Sequence, residues 1–186
     1  MTLYAPFRRA AGFTITELLI VITIVAILGA IGIPTFRSIT NSSRIAGEVN
    51  GLLGDLLLGR AEAVKQGLPV TVCISSNGTS CNAAGLTWQS GWIVFLDNNA
   101  DQTVNGADVL IKVQAPFTGT DTFVSDNSRS ATFNREGFAT LKGAATNTST
   151  LITLHAAVAT TASTRCLAVN SVGRMLVQKA GVGSCS

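Results

Sequence analysis

The sequence predicts an α+β protein, one long N-terminal helix followed by an antiparallel β domain. Three observations predict it. Residues 13–36 form an apolar block whose only charge is Glu17. Past Pro34, the apolar residues Ile45, Val49, Leu52, Leu53, Leu56 and Leu57 recur at three- and four-residue steps, the period of one helix face. Past Pro69, short β-like runs alternate with Gly, Asn, Ser and Thr clusters, and no helical period returns.

The apolar block comes first. Its 24 residues would reach ~36 Å as a helix, enough for a hydrocarbon core of ~30 Å. Arg8 and Arg9 precede it, which favours keeping residues 1–12 on the cytoplasmic side. A cleaved secretory signal is the competing reading. It needs a shorter apolar run closed by a small-residue cleavage site, whereas residues 18–33 run without a polar gap. Glu17 is the anomaly. A carboxylate costs about 2.5–3.5 kcal/mol at mid-membrane and less near an end, so it either snorkels to the interface or meets a cation from another chain.

The second half of the helix is amphipathic, with Arg44, Glu48 and Asp55 interleaved on its polar side and Arg60, Glu62 and Lys65 continuing it. Gly67 and Pro69 end it. Gly47, Gly51, Gly54 and Gly59 weaken it by up to ~1 kcal/mol each, a cost that packing can offset. Strands are expected at residues 69–74, 88–96, 109–113, 131–134, 137–141, 151–155, 165–170 and 174–179. Residues 140–164, rich in Ala, Thr and Ser, read as loop or stalk-like edge around one short strand.

Composition narrows the function. The chain has 186 residues, 47% hydrophobic and 12% charged, with a net charge of +3. That is too apolar for a disordered chain, and a single span excludes a polytopic transporter or channel. Without residues 1–12 the balance falls to 11 basic against 10 acidic residues, so no strong electrostatic case for nucleic acid survives. No nucleophile elbow, P-loop, HExxH or supported carboxylate pair appears, so no enzyme and no cofactor is expected. His155, the sole histidine, reads as a half-exposed strand residue.

Four cysteines, Cys73, Cys81, Cys166 and Cys185, lie beyond the apolar block. An even count on an exported side points to disulfides, and three pairings are possible. Local closure favours Cys73 with Cys81 and Cys166 with Cys185. Zinc is the rival, but C-x2-C spacing is missing. Asp97, Asn99, Asp101 and Asp108 imitate a calcium loop imperfectly. Gln102 stands where such a loop turns sharply on Gly, Asp108 replaces the bidentate Glu, and the flanks are strands. An Asx-rich turn is the simpler reading, with no metal bound.

Gly12-Phe13-Thr14-Ile15-Thr16-Glu17 followed by an apolar run resembles the processing signal of type IV prepilins and pseudopilins. The resemblance implies cleavage between Gly12 and Phe13 by a membrane prepilin peptidase and N-methylation of Phe13. It also implies an assembly role for Glu17 facing a subunit's N-terminal amine. Pro34 falls where many pilins have a proline that interrupts the helix. The run Gly91-Trp92-Ile93-Val94-Phe95-Leu96-Asp97-Asn98-Asn99, with Asp108-Val109-Leu110, Phe133, Gly137 and Gly173-Arg174, is similar to minor pilins and pseudopilins of the GspH, FimT and FimU class. That class implies a pilin fold, a long helix packed on an antiparallel two-sheet β domain.

The resemblance implies four segments: a leader at 1–12, a membrane and filament-core helix at 13–36, an amphipathic helix at 37–67 and a periplasmic β domain at 68–186. The expected partners are other minor and major pilins or pseudopilins, the peptidase, and inner-membrane lipid before assembly. The favoured role is a minor pilin that helps start a filament at or near its tip. The alternatives are a minor pseudopilin of type II secretion and a FimT-type DNA receptor. The latter would use Arg165, Arg174 and Lys179, although Leu176 stands where that type has a second Arg.

Overall fold

The computed structural model describes residues 12–142, 149–155 and 163–185. Arg8, Arg9, most of the expected leader and much of the 140–164 stretch lie outside the described residues. The chain divides at Ile39/Thr40 into two units. One helix, α1 (Ile15–Gln66), runs through both.

In the first unit every described residue from Phe13 to Ile39 is exposed except Gly29, which is half-buried. Thr23 and Thr35 turn their hydroxyls back to the carbonyls of Leu19 and Ile31, at 2.7 and 3.0 Å. Both hydroxyls are thereby satisfied within their own helix, as an apolar surrounding demands. The expected interruption at Pro34 is absent, because α1 continues through it. The ring's fixed φ suits a helix, and the cost is one missing N–H toward the preceding turn.

In the second unit α1 buries Ile45, Val49, Leu52, Leu56 and Ala63. Leu57, expected on this face, is 47% exposed, and Asp55, expected on the polar face, is 3% exposed. Four-residue steps from Leu52 through Leu56 leave residue 55 inside the apolar stripe and residue 57 beyond its edge. Gly59 lies against the sheet, where an added Cβ would stand 3.0 Å from Val72. It marks a close helix–sheet approach rather than a tolerated weakness, whereas an added Cβ at Gly47, Gly51 or Gly54 meets nothing.

Among the described residues nine strands follow: β1 (Val70–Ile74), β2 (Trp92–Leu96), β3 (Val109–Gln114), β4 (Thr122–Ser125), β5 (Ser130–Phe133), β6 (Ala139–Lys142), β7 (Ser149–His155), β8 (Arg165–Asn170) and β9 (Met175–Lys179). They form two antiparallel sheets, ordered β3-β2-β1-β5-β6 and β4-β7-β8-β9. Strand β4 was not expected. The expected run 88–96 is broken by a 3-10 turn at Trp88–Ser90 and by Gly91 at φ 95°, where a Cβ would sit 2.6 Å from the Gln114 carbonyl.

One face of the five-stranded sheet, carrying Val70, Val72, Trp92, Val94 and Phe133, joins the α1 stripe and the Phe123, Ile152, Leu154, Leu167 and Val169 side chains of the second sheet in one core. Trp92 meets Phe117 and Phe123 edge to face at 5.8 and 6.5 Å, an arrangement that suits the ring quadrupoles. The opposite face carries a smaller cluster, Cys73, Ile93 and Phe95, covered by Cys81 and Val104. All five positions of β1 and of β2 are therefore buried.

Candidate functional site

Gly12 and Phe13 precede α1 and are both exposed, Phe13 at 80%. The peptide between them precedes the helix, which begins at Ile15. Thr14 caps the helix. Its Oγ1 accepts the Glu17 N–H at 3.2 Å, and the Glu17 carboxylate reaches back to the Thr14 N–H and hydroxyl at 3.5 Å. This is a capping box, Thr-x-x-Glu, at the positive end of the helix dipole. Glu17 thus has a partner within its own chain, which the sequence reading overlooked although the Thr14–Glu17 spacing states it. Beyond it, α1 is the one described helix long and apolar enough to cross a membrane, and none of its most apolar stretch is buried.

Polar contacts from Asp55, Arg44 and Arg60 help to hold the β domain to α1. Asp55 accepts the Trp92 indole N–H at 2.9 Å and the Lys112 ammonium at 2.5 Å. Arg44 grips the buried Asp121 with Nε and Nη2 at 2.8 and 2.9 Å. Arg60 donates to the Gly173 carbonyl at 3.1 Å. Gly137 and Gly173 shape the Arg60 slot. A Cβ on Gly137 would stand 2.8 Å from the Arg60 Nε, and one on Gly173 would stand 2.2 Å from the Gly137 carbonyl. The Phe-x-x-x-Gly and Gly-Arg elements are two facing turns that clasp one arginine. Beside Arg44, burial and the Asp121 charge raise the Glu48 carboxyl above its usual range, and its Oε2 is buried without a hydrogen-bond partner among the described residues.

The acidic turn is a self-satisfied lid. Asp97, fully buried, accepts the Thr71 hydroxyl at 2.7 Å and the N–H groups of Asp101 and Gln102 at 3.2 and 3.0 Å. Asp108 accepts the N–H groups of Asn98 and Asn105, both at 2.9 Å. Asp101 accepts the Thr103 N–H, and it accepts from the Asn99 and Asn105 amides. Gln102 adopts φ 64°, the left-handed turn for which the sequence would want Gly. Val104 carries the lid onto Phe95 and Ile93. Each carboxylate is engaged by N–H donors, and no cluster of three metal-ligating groups occurs among the described residues.

The structure bonds Cys73 to Cys81 and Cys166 to Cys185. The first fixes the 75–87 loop on β1, and the second ties the C-terminal segment to β8. The three basic residues do not form one patch. The Arg165 guanidinium is held by the Thr164 carbonyl and the Ser42 hydroxyl, at 2.8 and 3.3 Å. Lys179 faces Arg165 across β8 and β9, but Arg174 precedes the other end of β9. Five residues along a strand separate Arg174 from Lys179 by ~17 Å. His155, half-exposed on β7, bonds Thr164 at 3.2 Å.

Among solved structures, the type IV minor pilin FimU of Pseudomonas aeruginosa strain PAO1 shares this fold. The likeness has a TM-score of 0.53 at 17% identity, over 77% of this chain and 92% of that one. A second crystal form of FimU gives 0.48, also at 17% identity, over 73% and 91%. No curated relative matches the chain in sequence. Residues 7–33 match the prokaryotic N-terminal methylation motif. Residues 48–173, well over half of the chain, match the family model of the type II transport protein GspH. A capped, uncovered apolar helix under the methylation motif, a pilin fold behind it and a family model across its β domain lead to one conclusion: the chain belongs to the GspH family, as a type IV pilin-like protein of the minor pilin and pseudopilin class.

Proposed function

We propose that the chain is a minor type IV pilin that helps to initiate pilus assembly at or near the filament tip. It is made with a leader, cut between Gly12 and Phe13 and methylated on the Phe13 amine. It then waits in the inner membrane on residues 13–36, with its β domain in the periplasm. The observation that carries the reading is the first half of α1, apolar on every side and uncovered. Lipid covers it before assembly and neighbouring pilin helices cover it afterwards, so burial between helices replaces burial in lipid. The mechanism is association, with no chemical step. Intact-mass measurement of the membrane-purified protein should find a chain beginning at methylated Phe13. A start near Gly32 would mark the segment as a secretory signal instead.

A second reading has one observation in its favour. The matching family model is described by type II transport, which suits a minor pseudopilin of the secretion system. The Cys166–Cys185 bond leans toward the pilus, because a closed C-terminal loop is more like pilins than pseudopilins. A DNA-receptor role has less support, since Arg165 is engaged within the fold and Arg174 stands apart from Lys179. Pull-down of the chain from sheared filaments and from membranes separates the systems. Recovery with other minor pilins supports the proposal, and recovery with secretion pseudopilins overturns it.

A further inference from the structure

A cavity of about 300 Å³ opens on the face of the five-stranded sheet that points away from α1. Its walls come from three places that the fold brings together: the loop closed by the Cys73–Cys81 bond, the acidic-turn lid, and the adjoining ends of β5 and β6. Two cations converge on it, Arg129 and Lys142. Their backbones are bonded, Arg129 N–H to the Lys142 carbonyl at 2.9 Å. Like charges set side by side across strands repel, and an anion between them removes the cost.

The remaining lining is rich in donors. Gln102, 8% exposed, accepts the Ser130 hydroxyl on its Oε1 at 2.7 Å. Its Nε2 makes no hydrogen bond to a described residue. Asn82 spends its Oδ1 on Ser76, leaving its amide N–H groups. Ser80 accepts from Asn77, leaving its O–H. Lys142 gives one N–H to the Asp101 carbonyl at 3.0 Å and keeps two. Among the described residues, no carboxylate lines the cavity. Asp101 feels the Lys142 charge, but its oxygens accept from Thr103, Asn99 and Asn105. The adjoining residues 143–148 contain no acidic residue, so that stretch brings no anion of its own.

We propose that this cavity is a binding site for a small oxyanion, a phosphate group above all, held by Arg129 and Lys142 with Gln102, Asn82 and Ser80 as neutral donors. Charge-assisted bonds from two cations recognise the charge, and the neutral amides and hydroxyl fit a tetrahedral set of acceptors. The cavity's size admits one such group with water. It does not track a polymer backbone, and it shares no residue with the Arg165, Arg174 and Lys179 set.

Calorimetric titration of the full chain in detergent with inorganic phosphate, at constant ionic strength in chloride, tests the site. A parallel titration uses a short single-stranded DNA. One saturable phosphate site is expected, weakened at least about tenfold in Arg129→Gln and in Lys142→Gln, and unchanged in Arg174→Gln. Lys142 is exposed, so its variant carries the test if Arg129→Gln fails to fold. Absence of saturable phosphate binding overturns the proposal. So does binding that both variants retain, or binding seen with DNA but not with phosphate.

Discussion

Glu17 and Glu48 are two carboxylates in unusual places, and each has a different consequence. Glu17 already closes a capping box with Thr14, so in the proposed assembly role a neighbouring subunit's amine would compete with the helix's own N-terminus. Replacing Glu17 by Leu should leave membrane insertion unchanged or easier, because a charge is removed. Incorporation into sheared filaments, read by immunoblot, should drop sharply; normal incorporation would remove the ion-pair role. Glu48 tests the β-domain packing. Burial first and Asp121 second raise its carboxyl, against Arg44, which lowers it. Folded Glu48 therefore holds its proton more tightly than the unfolded chain does. The stability that this gives is full below the ordinary glutamate range and is lost as pH rises through the raised value. Glu48→Gln should then melt higher than the parent at neutral pH and equally at pH 3–4. A lower melting temperature at neutral pH would show that the charge is favourable where it sits.

At the scale of elements, α1, β1–β3, β5–β9 and the acidic turn were legible, because period, turn residues and strand composition agreed there. Strand β4 was not. Thr122–Ser125 is four residues long, with Phe123 and Ser125 as its buried side chains, Gly119-Thr120-Asp121 before it and Asp126-Asn127 after it, so local pattern favoured a turn. Only pairing with β7 makes it a strand. Asp55 was misread for a related reason, since polarity alone placed it outward while Trp92 and Lys112 supply its partners from distant sequence. The clasp of Gly137 and Gly173 on Arg60 was visible only as motif glycines until the facing turn was known. The two disulfides staple the domain at opposite sheets, with separations of 8 and 19 residues. In the chain-entropy model these contribute about 2.5 and about 3 kcal/mol. Non-reducing peptide mapping of protein from an oxidising compartment should recover both links. A crossed pairing or four free thiols would contradict the positions of the 75–87 loop and the C-terminal segment.

At the scale of the whole molecule, apolar N-terminal helix, pilin fold and subunit class were all readable, because the Gly-Phe-x-x-x-Glu pattern and the Gly-Trp strand carry specific residues. The choice among filament systems was not, since a processing signal and a core helix serve pilus and secretion system alike. The proposed function at a tip rests on a physical argument. Helix association in a bilayer is weak per contact, so a filament begins slowly unless several helices are presented together. A minor subunit that supplies this nucleus sets how many filaments start, while the bulk subunit sets how long they grow. The most direct measurement counts pili per cell by electron microscopy in a strain lacking this protein, with retraction disabled. The account predicts few or no pili although the major pilin is still made and processed, and normal length for any that form. Unchanged pilus number would contradict it, pointing to the secretion system if protein export fails and to a DNA receptor if DNA uptake fails.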